Sequence, residues 1–145
     1  MIVIIDSGGA NIASVQFALE RLGAESVLTK DVKIIRSADK VLLPGVGAAP
    51  IAMQNLTEYG LIDCIRGLTQ PVMGICLGMQ LLFAVSPEGN TPLLSIFDAD
   101  CETFAPAQGR SGTHMGWNRL SKQQDHPLMA GVDEGAHVYF VHSYF

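Results

Sequence analysis

The chain is poor in several things, and each shortage excludes a class of function. Only 16% of its 145 residues are charged, and the formal net charge is −5 with no basic cluster. A nucleic-acid surface needs a patch of Lys and Arg, so that partner is not expected. No apolar run approaches the ~18 residues that span a bilayer. The N-terminal Met1-Ile2-Val3-Ile4-Ile5-Asp6 has no basic flank or cleavage site and reads as a first strand. Cysteine is scarce: Cys64, Cys76 and Cys101 are odd in number and show no metal-ligand spacing. Reduced thiols in a cytoplasm follow. Internal repeats and low-complexity stretches are absent too.

What is present is a 48% hydrophobic composition in a length that suits one domain with a sizeable core. Ile2–Ile5, Val41–Leu43 and Val72–Ile75 are short, wholly apolar runs, as expected of strands covered on both faces. Helical patterns stand between them. Asn11 or Ser14 is placed to cap a helix through about Leu22, which Gly23 ends, and Ser26–Leu28 is a short strand. A loop or short helix is expected near Asp31–Ser37. Further helices are expected over Ala49–Glu58 and Leu61–Leu68, the second with Cys64 as core filler. Strands alternating with helices predict a parallel sheet with helices on both faces, which binds ligands beyond its strand C-termini. Gly8-Gly9 precedes a helix but matches neither phosphate-loop signature.

Gly74-Ile75-Cys76-Leu77-Gly78 is the most informative stretch. It follows a strand, opens a helix expected to reach about Val85, and has the G-x-S-x-G spacing with sulfur in place of oxygen. The glycines make room where a strand turns sharply into a helix, and the central residue is strained. A thiol there meets unpaired N–H groups and the positive end of the helix dipole. Both favour the thiolate over an ordinary cysteine, whose pKa is ~8.5. The Leu77 N–H points where an oxyanion would develop. The competing role for Cys76 is that of a small core residue. Pro44-Gly45-Val46-Gly47, at the end of another strand, is either a plain connecting loop or a place of close backbone approach. Asp6, Gly45–Gly47 and Cys76 all follow strand C-termini, so three strand ends converge on one edge.

The C-terminal third differs in character. Leu93–Phe97 and Asp100–Phe104 are expected as short strands open to antiparallel pairing, residues 105–112 as a loop, and Val138–His142 as a strand. His114-Met115-Gly116-Trp117-Asn118 holds the only tryptophan, in a segment too polar for a plain core strand.

Taken together, Ile5-Asp6-Ser7-Gly8 with Asn11 and Ser14, Leu43-Pro44-Gly45-Val46-Gly47, Gly74 to Gln80, His114 to Asn118 and Tyr139 to Tyr144 resemble the class I (triad) glutamine amidotransferases. Within them, the chain is most similar to the glutaminase subunits of imidazole glycerol phosphate synthases. The resemblance implies a flavodoxin-like, three-layer α/β fold with a mainly parallel central sheet, as a single type-1 amidotransferase domain over residues 1–145. It implies that Cys76 attacks the glutamine side-chain amide, giving a thioester and free ammonia, and it implies no cofactor or metal. Gly45, Val46, Gly47 and Leu77 would form the oxyanion hole, after a peptide rearrangement for which a valine between two glycines suits, and Gln80 would help hold glutamine. Ammonia would pass to a (β/α)₈-barrel cyclase subunit that makes imidazole glycerol phosphate and an aminoimidazole carboxamide ribotide. Asn11, Trp117, Asn118 and Tyr139 match positions near that interface.

One departure matters. The family draws its catalytic base and the group that orients it from a Gly-x-x-x-His-Pro-Glu segment. Of His114, His126, His137 and His142, only His126 precedes a proline, and Leu128 follows where the glutamate would stand. The expectation is therefore a domain lacking its last strands and C-terminal helix. A positioned base is worth ~10²–10⁴ in rate, so negligible glutaminase activity is expected of these residues alone. The alternative is a catalytically incomplete amidotransferase-like partner of the cyclase, in which Cys76 keeps the pKa of a free cysteine. Another elbow-cysteine hydrolase would need neither the Pro-Gly-Val-Gly segment nor Gln80. Thr113, where the family usually has proline, is a minor difference.

Overall fold

A computed structural model describes residues 1–9, 11–105, 112–122 and 124–145. The chain divides into two compact units, Met1–Glu102 and Thr103–Phe145. The first is built on four strands: β1 (Ile2–Ile5), β2 (Ser26–Thr29), β3 (Lys40–Gly45) and β4 (Val72–Cys76). All pairings are parallel, in the order β2-β1-β3-β4. The connecting helices are α1 (Ile12–Arg21), α2 (Val32–Arg36), α3 (Ala49–Glu58) and α4 (Ile62–Arg66).

The path from β1 to β2 runs one way across the sheet, and the paths to β3 and β4 run the other. Right-handed crossovers therefore put α1 on one face and α2, α3 and α4 on the other. The second face holds the core, where Val3, Ile5, Val41 and Leu43 pack with Ile35, Leu56, Leu61 and Ile65. Cys64 is buried there as expected. On the opposite face Ile4 is buried, although α1 itself has no buried residue. Asn11 stands at the N-cap of α1 without a side-chain hydrogen bond, so it does not cap in the way its residue type suggests. Gly23 does end the helix, at φ +68. Asp31 caps α2 by accepting from the amides of Lys33 and Ile34.

Two expectations fail beyond β4. The helix after Cys76 is one turn, α5 (Leu77–Gln80), and does not reach Val85. Leu93–Phe97 and Asp100–Phe104 are not strands. Instead β5 (Val85–Ser86) and β6 (Thr91–Pro92) form a minimal antiparallel pair. The cause is one set of hydrogen bonds. The amides of Leu93, Leu94, Ser95 and Ile96 donate to the carbonyls of Ala84, Leu81, Phe83 and Leu82, and the Ala84 amide, which a longer α5 would have turned to Gln80, donates to Ala99 instead. The Arg66 side chain donates to the carbonyls of Leu93 and Leu94. Leu93 and Leu94 are buried all the same, so apolarity served packing rather than a ladder.

The second unit is an antiparallel ribbon of β7 (His114–Arg119) and β8 (His137–His142). Its strands alternate, with Met115, Trp117, Tyr139 and Val141 on one face and His114, Asn118, Phe140 and His142 on the other. On the latter face Phe104 stacks on Phe145 with ring centroids 4.6 Å apart. The expected loop over 105–112 lies largely outside the described residues.

Candidate active site

Parallel strands that begin together end together. The β3–β4 register sets Gly45 directly against Cys76, neighbours across one ~4.8 Å strand spacing. β1 ends alongside at Ile5, and the Asp6 amide continues its pairing by donating to Thr29. The three strand ends that the sequence placed on one edge are indeed together.

Cys76 lies at φ 55, ψ −121, a backbone conformation that side-chain-bearing residues rarely adopt, at a cost of ~1–3 kcal/mol. Strain of this kind persists where the surroundings impose it, and the glycines show how. A Cβ on Gly78 would run into the Leu43 carbonyl, and one on Gly74 into the Met79 backbone. A Cβ on Gly45 would sit 2.7 Å from the Gly78 nitrogen. The elbow is thus pressed against β3 backbone to backbone. Because α5 is one turn long, no extended helix dipole stands behind Cys76.

Among the three thiols, Cys76 alone is exposed, and all three are free. Burial and the nearby Asp100 carboxylate push the Cys101 thiol up, and it points at the Gln80 carbonyl at 3.6 Å. A thiol reagent at neutral pH should therefore titrate one cysteine in the native protein and three in denaturant. Rapid native labelling of Cys64 or Cys101, read by peptide mapping, is the contrary result.

The loop beside Cys76 is only partly aimed at it. The Val46 amide donates to the Gly9 carbonyl at 3.3 Å, so its N–H is engaged. Gly47 has φ +92, and a Cβ added to it would meet nothing within 4 Å, so the loop has room to turn. Leu77 is buried at the start of α5, and Gln80, 5% exposed, is the last residue of that turn.

Two anchors of this loop escaped sequence reading. The Ser7 hydroxyl donates to the Pro44 carbonyl at 3.1 Å. The Glu88 carboxylate accepts from the Ala49 amide at 2.8 Å, capping α3 from 39 residues away. Asp6-Ser7-Gly8 was part of the family resemblance, but nothing in a sequence pairs Ser7 with Pro44. Of the residues matched to a partner interface, Trp117 and Tyr139 share a face, their rings edge to face at 5.5 Å. Asn118 lies on the other face, its side chain towards His114. Asn11 is exposed in the first unit.

The family model for glutamine amidotransferase class-I matches residues 3–145. The imidazole glycerol phosphate synthase subunit HisH of Mannheimia succiniciproducens is 49% identical over 142 residues, covering 98% of this chain and 73% of that protein. The HisH subunit of Haemophilus influenzae is 50% identical over 143 residues, 99% of this chain and 71% of its own length. Among solved structures, a glutamine amidotransferase aligns with a TM-score of 0.69 at 19% identity, over 97% of this chain and 70% of that one. The glutaminase domain of the Trypanosoma brucei CTPS, with bound acivicin, aligns at 0.61 and 13% identity, over 99% and 66%. At such identities the structures establish the fold alone.

Proposed function

Since the chain belongs to the class-I glutamine amidotransferases, and among them to the HisH subunits of imidazole glycerol phosphate synthase, we propose that it releases ammonia from glutamine at Cys76 for a cyclase subunit in histidine biosynthesis. The observation that carries the reading is the register of Gly45 against Cys76, which sets a glycine loop beside an exposed, strained thiol.

The Cys76 sulfur attacks the amide carbon of glutamine, and the carbonyl oxygen takes up the negative charge. The N–H groups of Leu77 and the Gly45–Gly47 loop stabilise it, each such donor being worth roughly 10²–10³ in rate. The proton given up by the thiol ends on the leaving nitrogen, so collapse expels ammonia and leaves a thioester, which water hydrolyses to glutamate with return of the free thiol. Gln80 helps hold the substrate. The Val46 amide must first leave the Gly9 carbonyl, which fits the peptide rearrangement this family requires. The two compact units act as one amidotransferase domain, in keeping with a family match that spans both. A cytoplasmic site of action is part of the proposal. Among the described residues, no helix is long and apolar enough to cross a membrane.

The partner is a (β/α)₈-barrel cyclase, met by the Trp117–Tyr139 face with Asn11 and Asn118 nearby in role. Trp117 is 71% exposed and Tyr139 53%, with Met115 and Val141 beside them. Large aromatics standing in solvent are characteristic anchors of interfaces. Trp117→Ala should weaken cyclase binding by ~2 kcal/mol, or about 30-fold in Kd, without changing alkylation of Cys76. Unchanged affinity by titration calorimetry would remove this face from the interface. For the chemistry, a chloroketone analogue of glutamine should label Cys76 and be competed by glutamine. Labelling without competition would leave only a binding module.

A further inference from the structure

The turn after β1 holds a polar side chain that this chemistry leaves unused. Ser7 is 4% exposed. Its hydroxyl reaches across to the Pro44 carbonyl, while its own carbonyl accepts from Asn55 Nδ2 on α3 at 3.1 Å. It thereby ties β1 and α3 to the residue from which the Gly45–Gly47 loop departs. The choice of handle has a physical reason. Pro44 has no N–H, so its carbonyl is the one backbone group there that can be held. That carbonyl shares a rigid peptide plane with the Gly45 N–H, so fixing one orients the other. At the far end, Glu88 holds the Ala49 amide. The loop is pinned at both ends, with its free rotation between them at Gly47.

We propose that Ser7 is a positioning residue for glutamine hydrolysis. Its hydroxyl sets the peptide plane at which the oxyanion loop begins, confining the rearrangement to the segment after Gly45. It touches no substrate. The proposal rests on the reading of Gly45–Gly47 as the oxyanion loop. Satisfaction of a buried carbonyl, with no consequence for the reaction, is the rival it must beat.

Two reagents separate them. A chloroketone analogue of glutamine reacts with Cys76 through a tetrahedral oxyanion, forming a C–S bond and losing chloride. Iodoacetamide loses iodide by direct displacement and forms no oxyanion. In Ser7→Ala, chloroketone labelling should slow by between about 10- and 100-fold, in the range of a misplaced rather than a deleted donor. Iodoacetamide labelling should be unchanged, and Ser7→Thr, which keeps the hydroxyl, should recover the parent rate. In a chain extended through the family's His-Pro-Glu segment and assembled with its cyclase, Ser7→Ala should lower kcat with KM preserved. If Ser7→Ala does not fold by circular dichroism, Ser7→Cys, similar in size with a weak donor, serves with labelling mapped to Cys76. An unchanged ratio of the two labelling rates in a folded variant overturns the proposal. Failure of the parent protein to react selectively with the chloroketone would instead overturn the glutaminase reading itself.

Discussion

In a chain that carries the family's His-Pro-Glu segment after these residues, replacing Cys76 by alanine should reduce glutamine-driven turnover of the assembled synthase by about 10⁴ or more, while turnover supplied with ammonium salts persists. A covalent nucleophile has no substitute at its position, and losses of this order are what removal of one costs elsewhere. Ten-thousand-fold corresponds to about 5.5 kcal/mol of transition-state stabilisation, far more than any loop contact here supplies. The two other thiols cannot take over, because both are buried. The ammonium control is decisive. If both activities fall together, the effect is on assembly rather than on glutamine chemistry. The same residue should show the opposite sign in stability. Cys76 is held at φ 55, where glycine is at ease and other residues are not. Cys76→Gly should therefore be inactive yet more stable by about 1 kcal/mol, raising the melting temperature by roughly 3 °C. A fall in Tm would mean that the elbow carries less strain than its dihedral angles indicate.

Most of the site was legible because it is local. Strand, turn and glycine spacing around Cys76 are written within five consecutive residues, and the three strand ends meet because apolar runs alternating with helices imply a parallel sheet. What was not legible depends on partners distant in sequence. Leu93–Phe97 has the composition of a strand, but its amides are consumed by carbonyls of residues 81–84, and Arg66 takes two of its own carbonyls. The same competition cut the helix after Cys76 to one turn, and no periodicity reports it. Ser7 and Glu88 are ordinary turn residues until the fold brings Pro44 and Ala49 to them. Trp117 and Asn118 were both matched to the family's partner interface, yet strand alternation sends these adjacent residues to opposite faces.

Gly78→Ala should be the most damaging single methyl in the first unit. The added Cβ would fall on the Leu43 carbonyl, with the Pro44 carbonyl carbon only 3.1 Å away. These are backbone atoms of β3, which is hydrogen-bonded between β1 and β4 and cannot give way as a flexible side chain would. Overpacking costs typically 1–3 kcal/mol where side chains can yield. Against a central strand the expected loss is about 3 kcal/mol or more, a fall of roughly 10 °C in melting temperature. Gly47→Ala isolates the other reason for a glycine, since no atom lies within 4 Å of the added carbon and only φ +92 opposes it. That variant should lose about 1–2 kcal/mol and keep its fold, while the loop loses access to one of its conformations. If scanning calorimetry finds the two variants equally stable, the elbow is not braced against β3. If Gly78→Ala alone collapses, the close approach that puts Gly45 beside Cys76 is what the glycine preserves.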